Sequence, residues 1–385
     1  MDFEINDDQR ELRRTIVEFA RGRLNHDVEG RDRAGTFSRE LFAECGGAGL
    51  CGLMVEEEYG GIGLDPLSTA MALEAFGYGC EDGGLVFSVS AHLLACVVPI
   101  WKYGTEAQKR VLLPDLCGGK RIAVNAMTEP GSGSDAFAMT TRAVPDPANE
   151  GGFVINGTKT FASNGPVADV AVLYAVTDEE KRYHGGITAF VVDRERHGYA
   201  IGQKFEKLGL STAPLSELVF DDVRVGPQDV LGVVGAGAQM FNQSMEWERV
   251  CIPAAHVGAM DRLLETAIRY ARTRKASGRQ ISKFQAVSHR IVDMKVRLET
   301  ARLLVYRAAS RLEKSRTVGM EASMAKLYVS ESLVTNALDT IRVLGGYGYM
   351  REYEVERALR DGIGSLIYSG TSEVQKNIVA GWLGL

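Results

Sequence analysis

The sequence predicts an α+β protein whose chain changes character twice: helical over 1–121, β over 122–230 and helical again over 231–385. Three observations predict this. Early apolar residues recur every three or four positions. The middle of the chain breaks into short β-branched and aromatic runs. A late stretch keeps a 3, 4, 3, 4 apolar spacing from Phe284 to Leu312. The order is not strand–helix alternation, so the Gly-rich stretches do not read as a Rossmann nucleotide site.

In the first segment, "DDQRELRRTIVEFARGRL" follows an Asp-rich cap and places Leu12, Ile16, Phe19 and Leu24 on one face. "EYGGIGLDPLSTAMALEAFGYG" is a Gly-rich turn running into a helix, with Pro66 at its first position. "GLVFSVSAHLLACVVPI" (Gly84–Ile100) is apolar but carries Ser and His and ends at Pro99. It reads as a buried helix rather than a membrane span.

The middle segment contains "GFVINGTKTFAS", "DVAVLYAV", "GITAFVVD" and "SELVFDDVRV", with turns expected at Asn156-Gly157 and Gly185-Gly186. An antiparallel or barrel-like β domain follows from these runs. In the last segment Phe284, Val287, Ile291, Met294, Leu298, Ala301, Val305, Ala308 and Leu312 form a seam that requires a partner helix, within a bundle or across a subunit boundary.

Composition sets the limits. Of 385 residues, 45% are hydrophobic and 24% charged, as in ordinary globular proteins, and the net charge of −6 without a basic block argues against nucleic-acid binding. Cys45, Cys51, Cys80, Cys96, Cys117 and Cys251 form no CxxC pair and keep no metal-ligand spacing to a His. They read as reduced, packed thiols in a reducing compartment such as the cytoplasm, and no metal site is expected. The acidic, polar start of the chain does not resemble a signal peptide.

Five stretches carry chemistry. "NAMTEPGSGSD" (Asn125–Asp135) has small residues that let backbone amides approach a planar or anionic ligand; a plain Ser/Gly loop is the alternative. "NGTKTFASNGPVADV" (Asn156–Val170) places Phe161 near Ser163, an aromatic and a donor able to cover a flat ring, or else an ordinary hairpin. "YARTRKASGRQISKFQ" (Tyr270–Gln285) includes Arg274, a phosphate binder or a solvated helix end. "IRVLGGYGYMREYEVERALRDG" (Ile341–Gly362) breaks a helix at Gly345-Gly346 and exposes backbone amides. "LIYSGTSEVQ" (Leu366–Gln375) has the composition of an active-site lip but offers no base of its own at Ser369.

Taken in order, these stretches resemble the acyl-CoA dehydrogenase family over essentially the whole chain. Its flavin loop, Thr-Glu-Pro-x-x-Gly-Ser-Asp, stands as Thr128 to Asp135. The Asn-Gly-x-Lys strand, the Arg-x-x-x-Gly and Phe-Gln segments, the Gly-Gly-x-Gly-Tyr turn and the terminal Gly-Thr-Ser-Glu-x-Gln are also present. The resemblance implies an α-helical N-terminal domain, a middle β domain and a C-terminal four-helix bundle. It also implies FAD between the β domain and the bundle, with parts reached by a neighbouring subunit, and a homotetramer or homodimer.

The reaction so implied is α,β-dehydrogenation of an acyl thioester, with a carboxylate taking the α proton and the flavin accepting the β hydride. Many members carry that Glu directly before the terminal Gly-Thr, where this chain has Ser369. Others place it on a bundle helix in a Glu-Arg pair, and "SMEWERVCIPAAHVGAM" supplies Glu248-Arg249. Glu248 is therefore the expected base, and Ser369 the expected donor of a backbone N–H to the thioester oxygen. Glu246 lies about 200° round the helix. A plain ion pair between Glu248 and a bundle arginine is the other alternative.

By the same resemblance, Met127, Thr128, Ser134, Phe161 and Ser163 would line the flavin ring. Arg274 and Gln285, with Gly345 and Gly346 nearby, would hold its pyrophosphate and adenine end. Thr371 and Glu373 would meet it from the terminal loop. Ser134, Trp247, Arg249 and Gly370 would contact substrate, although bundle packing also explains Trp247. Two positions depart from the family pattern: Ser277, often Phe, and Arg342, commonly Gln. Arg342 is expected to compensate by binding a phosphate.

Several stretches are similar to a subgroup that oxidises acyl or aminoacyl groups on carrier proteins, prolyl-carrier-protein dehydrogenases among them. The expected substrate is an acyl-CoA or an acyl carrier protein, and the expected acceptor is an electron-transfer flavoprotein or, for a flavin oxidase, oxygen. A noncatalytic scaffold that keeps the fold is the remaining alternative.

Overall fold

A computed structural model of the protein describes residues 5–314 and 317–385. The first segment is helical throughout: α1 Asp7–Phe19, α2 Val28–Ala34, α3 Arg39–Gly47, α4 Pro66–Gly79, α5 Gly83–His92, α6 Val98–Tyr103 and α7 Glu106–Cys117. Local chemistry sets the starts. Asn6 and Gln9 form a reciprocal capping box at α1. Asp65 caps α4, with Pro66 in the first turn, where its missing N–H costs nothing. The apolar run Gly83–Tyr103 has a mean hydropathy of 1.9 over its most apolar window, but 83% of that window is buried inside the protein. It is a core helix, and a wider turn at Leu93–Val97 joins α5 to α6.

The β segment contains β1 Ala123–Ala126, β2 Arg142–Pro145, β3 Phe153–Ser163, β4 Val170–Val176, β5 Ile187–Asp193, β6 Tyr199–Lys204, β7 Leu215–Val225 and β8 Val230–Leu231. Their order is β6-β7-β3-β2-β4-β5-β8, with β1 beside β4. The antiparallel expectation needs correcting, because the sheet is mixed. β1 pairs parallel with β4, and β2 touches β4 in parallel at Arg142–Val176.

Asn156-Gly157 is not a turn. It lies within β3, where the register against β7 slips between Ile155 and Gly157. Gly157 has φ +154, and a Cβ there would come within 2.3 Å of the Thr141 hydroxyl, so a bulge with close backbone approach used the glycine. Gly185, at φ +113, does sit in the β4–β5 connection.

β4 reads Val-Ala-Val-Leu-Tyr-Ala-Val because both of its faces are buried. Val170, Val172, Tyr174 and Val176 join the large helical core, while Ala171, Leu173 and Ala175 join a smaller core with Ile155, Phe190, Leu218 and Phe220.

The last segment contains α8 Gly237–Thr273, α9 Gln285–Lys314, α10 Gly319–Leu344, α11 Val355–Ser365 and α12 Ser372–Trp382. α8 packs on α10, α9 and α4, so it runs through the middle of the molecule. Ser244, Met245, Trp247, Glu248, Val250, Cys251 and Ile252 are all buried on it, as expected for a helix enclosed on every side. Along the predicted seam of α9, Met294, Leu298, Ala301, Val305 and Ala308 are fully buried, while Val287, Ile291 and Leu312 pack at its edge. All six cysteines are free and buried.

Candidate active site

The site is built from three groups of residues. The first surrounds Glu248. Its Oε1 accepts a hydrogen bond from the Ser369 hydroxyl, 121 residues away in the chain. Burial raises the Glu248 pKa above the ordinary carboxylate range, with the Ser369 hydrogen bond, Arg249 and Lys326 opposing. Thus the helix position and the terminal-loop position, the two at which the resemblance allows a base, meet in space. One carries the carboxylate and the other a hydroxyl bonded to it.

Arg249 does not point into open space. Its Nε donates to the Ser369 carbonyl at 3.0 Å. Gly370, at φ +92, takes Lys326 Nζ on its carbonyl at 2.7 Å. No acceptor among the described residues takes the Ser369 backbone N–H. Trp247 turns away: it packs edge-on against Trp101, with centroids 5.9 Å apart, and the Lys102 ammonium lies 4.9 Å from its ring. Glu246 is on another face of α8 and accepts from the Thr317 hydroxyl.

Beyond Glu248, Ile252, His256 and Tyr368 separate a narrow void from a cavity of about 660 Å³ between α4, α5, α8 and α11. His256 Nε2 and the Tyr368 hydroxyl are 2.7 Å apart, and Phe87 stacks on Tyr368 at 4.5 Å. Burial, with Lys326 adding to it, lowers the His256 pKa to about 3, so the imidazole is neutral. His256 and Tyr368 were not singled out from sequence. Their available signal was position: His256 lies on the Glu248–Ile252 face of α8, and Tyr368 directly precedes Ser369.

The second group is the loop of Met127, Thr128 and Ser134 with the strand end Phe161–Ser163. Here two residues that the motifs contain, but to which sequence reading assigned no role, fix the geometry. Lys159 Nζ bonds Glu129 Oε1 at 2.9 Å and the Met127 carbonyl at 3.0 Å. Glu129 also accepts from the Thr140 N–H at 2.6 Å and the Thr141 N–H at 2.8 Å. Burial opposes ionisation of Glu129, but Lys159 and these hydrogen bonds prevail and pull its pKa down to about 2. This pair ties the Thr-Glu-Pro loop to β3, and the Thr160 N–H to Thr128 carbonyl bond (2.8 Å) completes the tie. Met127 is buried, Thr128 and Ser163 are half-buried, and Ser134 is exposed. Phe161 is 61% exposed at φ +52, touching Phe205 at 5.3 Å.

The third group lies at the far end of the bundle. Tyr270, Arg274, Gly345, Gly346, Tyr347 and Met350 line an open hollow of about 530 Å³, with the Arg274 guanidinium 5.6 Å from the Tyr347 ring. No residue of the β segment lines it. Gln285 is exposed at the start of α9. Ser277, at φ +49, is in the tight turn before α9. Arg342 is mostly exposed and pairs with Asp339 at 3.4 Å, a carboxylate that Arg290 and Arg297 also engage. Thr371 caps α12, and Glu373 projects to solvent.

These groups fit a flat, phosphate-bearing cofactor. A side chain at Gly131, Gly133, Gly345 or Gly346 would meet nothing within 4 Å, so the backbone lies open there. An aromatic as exposed as Phe161 in a left-handed conformation is a surface waiting to be covered.

The chain matches "Acyl-CoA dehydrogenase, N-terminal domain" over residues 6–120, "middle domain" over 125–223 and "C-terminal domain" over 235–384. It belongs to the acyl-CoA dehydrogenase family. It is accordingly a FAD-dependent oxidoreductase of acyl thioesters, acting on CH–CH bonds. Among its relatives is an L-prolyl-[peptidyl-carrier protein] dehydrogenase of Pseudomonas fluorescens, 42% identical over 382 residues, covering 99% of each chain. The solved prolyl acyl carrier protein oxidase AnaB is 41% identical with a TM-score of 0.96, over 99% of this chain and 100% of that one. The FAD complex of PigA is 39% identical with a TM-score of 0.96, over the full length of both.

Proposed function

We propose that this family member desaturates a prolyl-type acyl group held as a thioester on a carrier protein, with Glu248 removing the α proton. One observation carries the reading: a carboxylate on the central helix is buried, its pKa is raised, and it is hydrogen-bonded by the residue that occupies the family's other base position. The carrier-protein substrate is supported by the relatives named for it.

Each residue then has a task. Glu248 is ionised before reaction and holds the α proton afterwards. The free Ser369 backbone N–H receives the thioester oxygen as enolate charge grows on it, worth about 3 kcal/mol for one such donor. Arg249 and Gly370 fix that loop. Ser134 and Trp247 border the substrate only indirectly, through the flavin loop and the packing of α8. When bound, FAD supplies the acceptor for the β hydride. Met127, Thr128, Ser134, Phe161 and Ser163 would hold its ring, Thr371 and Glu373 its flank, and Arg274, Gln285, Arg342, Gly345 and Gly346 its distal end.

We also infer a homotetramer or homodimer. α9 turns Val292, Val296 and Leu303 outward, more than half exposed, along one side. The buried reduced cysteines support a cytoplasmic protein, and the division at 121/122 and 230/231 stays our reading of the domains.

Anaerobic bleaching of the purified yellow protein tests the reading, with an L-prolyl carrier protein and with butyryl-CoA, for the parent and Glu248→Gln. Bleaching by the carrier-bound substrate in the parent alone is expected. Parental bleaching in Glu248→Gln removes the base assignment, and bleaching by butyryl-CoA only removes the carrier protein. A second reading, electron transfer to oxygen, is favoured by the 41% identity to a protein named as an oxidase. Peroxide formed in step with substrate oxidation supports it; oxidation only with an electron-transfer flavoprotein rejects it.

A further inference from the structure

The loop Tyr368–Thr371 contains two successive left-handed residues, Ser369 at φ +57 and Gly370 at φ +92. Glycine adopts this conformation freely. A serine is strained there and stays only where its surroundings fix it. Three interior side chains do so. Arg249 Nε and Gln375 Nε2 donate to the Ser369 carbonyl at 3.0 and 3.1 Å. Gln375 Nε2 and Lys326 Nζ donate to the Gly370 carbonyl at 2.9 and 2.7 Å.

Lys326 is the odd member of this set. It is 2% exposed on α10, and among the described residues its ammonium forms no salt bridge; its hydrogen-bond acceptor is the Gly370 carbonyl. A buried ammonium resting on one carbonyl is costly, and the amide of Gln375 shows that a neutral donor can hold the same oxygen. The charge therefore answers to something else nearby. Glu248 lines the same narrow void as Lys326, together with Ile252, Ser365, Tyr368 and Ser369.

We infer that Lys326 is a positioning residue for the reaction: it fixes the Gly370 carbonyl, and so the strained Ser369 beside it, and its charge favours the ionised form of Glu248. The inference rests on Glu248 being the base. The groups facing Glu248 are Arg249 and His256 from α8, Lys326 from α10, Tyr368 and Ser369 from the loop, Cys96 from the turn between α5 and α6, and Tyr174 from β4. Burial keeps the thiol and both phenols protonated, and His256 is neutral, so Arg249 and Lys326 are the cations of the set. Facing Lys326 besides these are Glu331 on its own helix and Glu373 from α12. Burial lowers the Lys326 pKa to about 8, Arg249 adds to this, and the three glutamates oppose it.

The test uses flavin-replete Lys326→Gln, Lys326→Met and, as an uncharged control, Gln375→Leu, with the thioester that bleaches the parent. Losing a cation leaves burial of Glu248 less opposed. Both Lys326 variants should therefore move the acidic limb of the kcat/KM profile upward by roughly one pH unit. Lys326→Gln keeps a donor for Gly370 and should retain its plateau kcat within about threefold, whereas Lys326→Met should lose about tenfold. Lys326→Met and Gln375→Leu should both speed amide exchange over residues 366–372, and Gln375→Leu should leave the limb in place.

An unmoved limb in Lys326→Gln overturns the charge role, as does an equal shift in Gln375→Leu. Parental exchange in Lys326→Met overturns the positioning role. If Lys326→Met fails to fold, Lys326→Gln decides. Full activity in Glu248→Gln is a different failure, that of the base assignment.

Discussion

Lys159 in the sheet and Lys326 in the bundle are both shut off from water, and burial lowers each to a pKa of about 8. Their surroundings differ. Lys159 has Glu129 at 2.9 Å, the Met127 carbonyl at 3.0 Å and the Met139 sulfur at 3.8 Å. Glu129 is saturated in turn by the backbone of Thr140 and Thr141. Lys326 has one carbonyl. A closed pair has no differential interaction left to offer a reacting group and serves to hold a loop. An open charge beside a carboxylate with a raised pKa still has field to give. The comparison separates scaffold from chemistry with the same residue type in both places.

The strongest way to break it is Glu248→Gln. It should lower kcat by about 10³-fold or more, with flavin content and melting temperature close to the parent's. A large loss of stability instead would make Glu248 a structural group like Glu129.

Next in size is Lys159→Met, which strands Glu129. Urea unfolding should show a loss of about 3–5 kcal/mol, and flavin should be lost with the Thr128 loop. Turnover per bound flavin should change much less. Lys326→Met strands no carboxylate within 4 Å and should cost less stability than Lys159→Met.

Acid sharpens the contrast. The folded pKa of Glu129, about 2, lies below its ordinary 4.5, so its pair contributes fully above about 4.5 and is lost as pH falls towards 2. Glu248 runs the other way. Its raised pKa means that activity should fail at a pH where the Glu129 pair is still intact, while the melting temperature should rise slightly on the acid side of the kinetic limb, because the neutral carboxyl is the cheaper form to bury. Coincident loss of activity and of stability would contradict this.

The smallest effect is expected at Arg342, whose exposed guanidinium already pairs with Asp339. Arg342→Gln should weaken flavin retention, read as absorbance per protein, and equal flavin content would end its phosphate role.

Much of the fold was legible where the signal is local. The seam of α9 was written in its spacing, and Pro66 and Asp65 mark the start of α4. β4 was legible as a strand, though not as one buried on both faces, because a continuous apolar run does not say what covers it. Asn156-Gly157 misled for a physical reason: the same dipeptide serves a hairpin turn and a bulge, and the Thr141 contact that decides between them comes from another strand. At the site, the resemblance singled out Glu248 as the carboxylate at a family base position, but its burial and its bond to Ser369 were not legible. Lys326 left a faint mark, a lysine in phase with buried Ala322 and Val329, which periodicity records as an exception without saying why.

By itself the sequence determined the order of helices and strands, the family, and which residue types stand at the positions where a base and a flavin can be held. The order follows from spacing along the chain; the family and those positions follow from the resemblance of its ordered motifs. Only the tertiary structure decided that Ser369 caps the carboxylate of a helix 121 residues away, that Arg249 holds a loop, and that one buried lysine is paired and the other is not. Burial and hydrogen-bond partnership set the pKa and the cost of every charged group here. Both are properties of what surrounds a side chain in space, which no stretch of neighbouring residues encodes.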